Sequence, residues 1–299
     1  MRQSTPHMQA MAVPPKPWPT GSAERTEDLV RRVLAPNPSP YTYTGTQTYI
    51  VGTEDHCAVI DPGPDEPAHL EALLAAIGDA TVGAIMCTHT HRDHSPAAAP
   101  LAAHTGAPVV GCAPLALDTE GPRADAPFDA SYAPDRVLED GEAMTGPGWT
   151  LRAVHTPGHT SNHLCFELEQ SGALFSGDHV MAWSTSVVVP PDGDMGDYLA
   201  SLGKLYERQD RIYYPAHGPA VEKPRQLVRG MIGHRRQREN QVLRLLGESP
   251  HAIEDMVPKM YKGLDERLVG AAGMSVKAHL IDLERRGMVG RSGDLWQTN

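Results

Sequence analysis

With 299 residues, 40% of them apolar and 21% charged, the chain has the balance of a globular protein with room for one sizeable core and a small appendage. No run of about 18 apolar residues occurs, so neither a membrane span nor a membrane partner is expected. The net charge of −11 is uneven: residues 223–299 hold 14 Lys+Arg against 9 Asp+Glu, a local +5 that leaves −16 for residues 1–222, so only the tail offers a surface to an anionic partner.

Met1 to Ser22 carries prolines at 6, 14, 15, 17 and 19 and lacks the continuous apolar stretch of a secretory signal; it is expected to form a mobile arm on a cytoplasmic protein. Short β-rich runs follow: Thr48-Tyr49-Ile50-Val51, Cys57 to Ile60, Ala84 to Cys87, Pro108 to Val110, Leu151 to His155, Leu164 to Leu168, Ala173 to Phe175 and Arg211 to Tyr214. Between them, Pro67 to Ile77 is predicted as a helix, with proline at its first position and Gly78 as its stop, and another helix is predicted to start at Ser95-Pro96 with Ser95 as its cap. This alternation predicts an α/β layered domain over residues 23–222. Cys57, Cys87, Cys112 and Cys165 sit in or beside its apolar runs and are expected to be reduced thiols.

From Pro224 the pattern turns helical, with Leu227, Val228, Met231 and Ile232 continued by Val242, Leu243, Leu245 and Leu246. A helix near Ile253 to Tyr261, another from Glu266 to Arg286 with a break at Gly270 or Gly273, and a hairpin over Met288 to Trp296 give residues 223–299 the order of a winged-helix unit.

The chemistry-bearing stretch is Thr88-His89-Thr90-His91-Arg92-Asp93-His94, which follows the apolar run ending at Cys87. In extended chain His89, His91 and Asp93 share a face, and a turn brings His94 around. Imidazole and carboxylate at this density suit zinc and related first-row cations. Three later β-like runs also end in loops bearing such groups: Thr156-Pro157-Gly158-His159-Thr160, Ser176-Gly177-Asp178-His179 and Pro215-Ala216-His217-Gly218. Asp61 and His163 are candidates for groups that orient metal-held histidines, with turn capping and core packing as their other readings. For His179 a packing role is favoured over substrate contact.

The pattern His89-x-His91-x-Asp93-His94 followed by His159, Asp178 and His217 resembles the metallo-β-lactamase superfamily of hydrolases. The resemblance implies an αββα sandwich with two Zn²⁺ per chain, Mn²⁺ or Fe²⁺ being substitutes. His89, His91 and His159 would hold one ion, Asp93, His94 and His217 the other, and Asp178 would bridge them. A hydroxide between two such ions is available at neutral pH, because metal binding lowers the pKa of water from about 15.7 towards 7. It is expected to attack an ester, thioester, lactone or phosphodiester, with Asp93 as the catalytic proton acceptor.

Asn37-Pro38-Ser39-Pro40, Gly45 to Gly52, Tyr214 to Pro219 and His234-Arg235-Arg236-Gln237-Arg238-Glu239 are similar to the β-lactamase-like protein 2 branch, whose extension is winged-helix-like. That branch implies single-stranded RNA as one substrate, with Arg225, Arg229, Arg235, Arg236, Arg238 and Arg244 meeting phosphates. The small-molecule alternatives are a glyoxalase II-like thioesterase, an iron-dependent persulfide dioxygenase and a weak β-lactamase side activity; a non-catalytic nucleic-acid-binding module is a further reading. The segment Val187 to Met195 departs from the animal pattern of the branch.

Overall fold

The computed structural model describes residues 18–115, 128–264 and 266–299. The expected N-terminal arm spans residues 1–22, and its first 17 lie outside the described residues.

Two sheets form the centre. The first has seven strands in sequential order: β1 (Ala23–Glu27), β2 (Val30–Leu34), β3 (Gln47–Gly52), β4 (His56–Ile60), β5 (Thr81–Cys87), β6 (Val109–Gly111) and β7 (Arg136–Val137). Pairing is antiparallel from β1 to β4 and parallel from β4 to β7. Parallel neighbours need a crossover. The helices α1 (Pro67–Ile77) and α2 (Ala98–Thr105) supply two of these. The second sheet runs β12 (Ile212–Pro215), β11 (Ala173–Gly177), β10 (Leu164–Leu168), β9 (Trp149–His155), β8 (Ala143–Gly146). Helix α3 (Met195–Glu207) makes the crossover to the parallel strand β12.

Period-two alternation explains how the layers close. Leu164, Phe166 and Leu168 of β10 and Ala173 and Phe175 of β11 point between the sheets, where Tyr49 and Ile60 of the first sheet meet them, while Ile85 and Leu73 of α1 belong to the same cluster on that sheet's other side. The intervening Cys165 and Leu174 point outward onto Met195, Tyr198 and Leu202 of α3 and Val228 and Met231 of α4 (Pro224–Glu248). Helices thus cover both outer faces of two stacked sheets, an αββα sandwich. Between the sheets Tyr49, Phe175 and Tyr214 pack ring on ring at 5.0–5.7 Å.

The C-terminal segment folds as α5 (Ile253–Met260), a 3₁₀ turn over Glu266–Leu268, α6 (Val269–Arg285) and the hairpin β13 (Val289–Ser292)–β14 (Leu295–Thr298). Val242, Leu245 and Leu246 of α4, Val257, Val276, Leu280 and Trp296 make its core. The long α4 therefore serves two cores: its first half packs on the sandwich and its second half on the C-terminal unit.

Three expectations are corrected here. The second helix begins at Ala98, not at Ser95-Pro96, and Ser95 does not cap it; its hydroxyl instead donates to Asp129 at 2.9 Å. Helix α6 runs unbroken through Gly270 and Gly273, because the chain bends before it, in the 3₁₀ turn. Strands β1 and β2 escaped the strand pattern, since charged residues occupy most of Ala23–Glu27 and the middle of Val30–Leu34. All four cysteines are buried free thiols, and none of the described helices is long and apolar enough to cross a membrane.

Candidate metal centre

Every site segment leaves the C-terminal end of a strand. Asp61 follows β4, the His89–His94 loop follows β5, and the loops of His159, Asp178 and His217 follow β9, β11 and β12. Loops carried at strand ends by a rigid scaffold are held accurately enough to share one pocket.

The structure brings the seven sequence candidates into two adjoining groups. His89, His91, His159 and Asp178 form one, and Asp93, His94 and His217 the other, with the donor atoms of each group within 4.8 Å of one another. Nε2 of His89 and Nε2 of His159 lie 2.9 and 3.2 Å from Nδ1 of His91. An oxygen of Asp178 is 3.7 Å from Nε2 of His159, and its other oxygen is 3.2 Å from Nε2 of His217 and 3.7 Å from Nε2 of His94, so this carboxylate faces both groups. Nε2 of His217 also stands 3.2 Å from Asp93.

Zinc-type ions suit this donor set on three counts. Ligand atoms about 2.0–2.1 Å from a tetrahedral ion are about 3.3 Å from each other, which the observed separations bracket. Nε2 of His94 and Oδ1 of Asp178 are buried without a hydrogen bond, an expensive arrangement unless something else contacts them. The ring nitrogens turned away from the centre are occupied: Nδ1 of His89 by the Thr88 hydroxyl at 3.0 Å, Nδ1 of His159 by the Val187 carbonyl at 2.6 Å, Nδ1 of His94 by Asp61 at 3.0 Å and Nδ1 of His217 by the Gly45 carbonyl at 3.4 Å. Such outer partners fix ring orientation and tautomer in metal sites.

The two groups differ electrostatically. Burial drives the His91 imidazole down to about 3, with His159 beside it adding to the fall, and lowers His89 well below its usual range. Burial also opposes charge on His94 and His217, but the carboxylates of Asp93 and Asp178 outweigh it; His94 rises well above its ordinary value and His217 to about 9. Burial pushes Asp93 and Asp178 upward, and the same histidines hold both well below the normal carboxylate range. The carboxylates of Asp93 and Asp178 thus favour positive charge at His94 and His217. A cation held by the same donors would compete with protons for them.

Loop geometry holds the groups in place. Gln47, on β3, donates through Nε2 to the carbonyls of Pro215 at 3.1 Å and Gly218 at 2.7 Å, which ties the His217 loop to the first sheet. Gly158 has φ +131°, and a Cβ there would lie 2.3 Å from Tyr198 Cα, so only glycine lets the His159 loop touch α3. His163 orients no ring nitrogen of the histidine ligand set: it accepts the Asp178 backbone N–H at 3.3 Å, while Thr156 holds its other nitrogen at 2.9 Å. His179 packs against the Tyr198 ring at 4.6 Å and does not line the cavity.

Sequence reasoning missed the walls. A cavity of about 540 Å³ opens over His91, Asp93, His159, Asp178 and His217, and it is bounded by Met181, Trp183, Val187, Val189 and Met274 among others. Among the described residues, none that lines it is lysine or arginine. The phosphate-facing role expected of Arg235 is corrected: this residue is 4% exposed, donates to the Ser186 carbonyl and lies over the Tyr198 ring at 5.2 Å. Arg225 and Arg238 donate to the Tyr206 and Met260 carbonyls, and Arg225 is exposed.

Comparison with known proteins agrees with this architecture. A model of the metallo-beta-lactamase superfamily matches residues 41–217, and one of the beta-lactamase associated winged helix domain matches residues 252–296. The chain is 31% identical over 285 residues to "Beta-lactamase-like protein 2 homolog" of Drosophila melanogaster, covering 90% of this chain and 93% of that protein. It is 30% identical over 252 residues to "Atrochrysone carboxyl ACP thioesterase" of Claviceps purpurea, covering 81% and 76%. A beta-lactamase domain protein from Burkholderia ambifaria has the same fold, with a TM-score of 0.77 at 21% identity over 94% of each chain. The chain belongs to the metallo-β-lactamase superfamily, with the superfamily's associated winged-helix domain at its C-terminus.

Proposed function

We propose that this superfamily hydrolase cleaves carboxylic thioesters or esters of an apolar acyl group, using two zinc-type cations. The observation that carries the reading is the cavity: about 540 Å³ over five of the seven candidate ligands, walled by Met181, Trp183, Val187, Val189 and Met274, with no lysine or arginine in its lining among the described residues. A phosphodiester or a glutathione conjugate brings anionic groups that call for cationic side chains beyond the metal ligands. An acyl group asks for apolar walls. The thioesterase name of the Claviceps purpurea relative supports the same reaction class.

Bound at the centre, two cations would lower the pKa of a water towards about 7 and polarise the acyl carbonyl. The chain's own residues do the rest. Met181 and Trp183 seat the acyl group and exclude bulk water. Asp93 faces the cavity with 26% of its side chain exposed, receives the Thr46 hydroxyl at 3.3 Å, and accepts the proton of the attacking water. Asp178, facing both ligand groups, positions them relative to one another.

A turnover panel on one metal-loaded preparation tests the proposal: an aromatic acyl thioester, an acetyl thioester, a lactone, a β-lactam and unstructured RNA. Hydrolysis of the aromatic thioester well above RNA cleavage, lost in Asp93→Asn, is the expected result. RNA cleavage without acyl hydrolysis would overturn it.

A further inference from the structure

We infer that the first turns of α6 select the size of the acyl group, a conclusion that rests on the acyl-hydrolase reading. Three lining residues of the cavity, Gly270, Ala271 and Met274, come from this helix of the C-terminal unit. Their spacing of three and four places them on one helix face, while Ala272, Val276, Leu280 and Leu283 turn the other way into the C-terminal core. The cavity they help close is also lined by Asp178, which is only 8% exposed and faces both ligand groups, so the same space contains the reaction centre and the α6 face.

The wall cannot drift from the site. Asp194 pairs with Arg285 of α6 at 2.5 Å, and buried Arg235 of α4 spans from the Ser186 carbonyl to the Ser275 hydroxyl, the latter at 3.5 Å. A Cβ at Gly196 would sit 2.6 Å from Asp282 Oδ1, so the start of α3 lies directly against α6. Ser186 and Asp194 bracket the loop whose Val187 and Val189 form the facing wall. Both walls are therefore clamped to each other, and the gap between them is set by side-chain size.

At the mouth that gap is kept wide by small residues. Glycine within a helix costs about 0.5–1 kcal/mol relative to alanine. No close neighbour demands it at position 270, where an added Cβ would meet nothing within 4 Å. Tyr41, another residue of the lining, is 58% exposed, and Leu268 and Val269, which precede Gly270 in the chain, are exposed apolar residues at 41% and 45%. A bulky apolar acyl group, such as a fused aromatic system, is the class of ligand that needs this opening.

The test measures calorimetric binding of two non-hydrolysable amide analogues, naphthoyl and acetyl, to metal-loaded wild type, Gly270→Leu, Ala271→Leu and Met274→Ala, alongside turnover of the matching thioesters. The inference predicts at least tenfold weaker naphthoyl binding in the two leucine variants, with acetyl binding within twofold of wild type. Met274→Ala should move the naphthoyl-to-acetyl ratio of affinities the other way. Equal changes for both analogues, no change for either, or wild type binding neither would overturn the selector. If wild type binds the naphthoyl amide and the variants discriminate, but no thioester is hydrolysed, the hydrolase reading falls and the size-selecting wall stands.

Discussion

Nδ1 of His94 lies 3.0 Å from Oδ2 of Asp61, and the same carboxylate takes the backbone N–H and the hydroxyl of Thr88, each at 2.8 Å. The arrangement turns Nε2 of His94 towards Asp93 and Asp178 and fixes the start of the His89 loop. Asp61 sits at φ +49°, a left-handed conformation that asparagine also tolerates, so Asp61→Asn removes the charge without new backbone strain. Loss of such an outer partner costs about 10–100-fold in metal affinity. Competition with a chromophoric chelator should show this loss for one ion of the pair. Unchanged affinity for both would contradict the role.

Among the described residues Asp178 is the carboxylate that faces both ligand groups, so Asp178→Ala is expected to bind fewer than two equivalents of metal. Elemental analysis of the dialysed variant measures this directly, and two retained equivalents would count against a shared carboxylate.

Gly158→Ala forces a Cβ onto the backbone of α3 at Tyr198, at a φ that alanine rarely adopts. Overpacking against a fixed backbone costs about 1–3 kcal/mol, and the conformational strain adds to it. Thermal denaturation should fall accordingly, with metal affinity reduced because His159 is the next residue. A variant as stable as wild type would mean that α3 yields easily.

Acid sensitivity is expected from His279, which is 1% exposed on α6 with neither ring nitrogen bonded. Burial drives it down to about 3, and the nearby Arg235 adds to the shift. Unfolded, the imidazole titrates near 6.5, so the folded state binds fewer protons between these values. Its contribution to stability is complete above about 6.5 and is lost as pH falls towards 3. At pH 4.5 the loss amounts to about 2–3 kcal/mol. His279→Leu should therefore lower the midpoint of acid unfolding followed by circular dichroism, and an unchanged or higher midpoint would show that other groups dominate.

The sequence disclosed the centre better than its surroundings, for physical reasons. Ligand residues must be particular types, so His89, His91, Asp93 and His94 announce themselves within six residues. Strands β3 to β5 and β9 to β12 carry apolar runs because both faces of their sheets are covered. The cavity walls had no such signature: Met181, Trp183 and Met274 are ordinary apolar residues whose meeting depends on how α6 docks. Arg235 misled for the converse reason, since an arginine-rich helix face looks solvated until its partners, the Ser186 carbonyl and the Tyr198 ring, come from distant segments.

Anomalous diffraction at the zinc edge, from crystals grown with that ion, tests the central claim most directly. Two peaks about 3.5–4 Å apart are predicted, one among His89, His91, His159 and Asp178 and the other among Asp93, His94, His217 and Asp178. A single peak at full zinc loading, or peaks away from these seven side chains, would contradict the paired-cation centre.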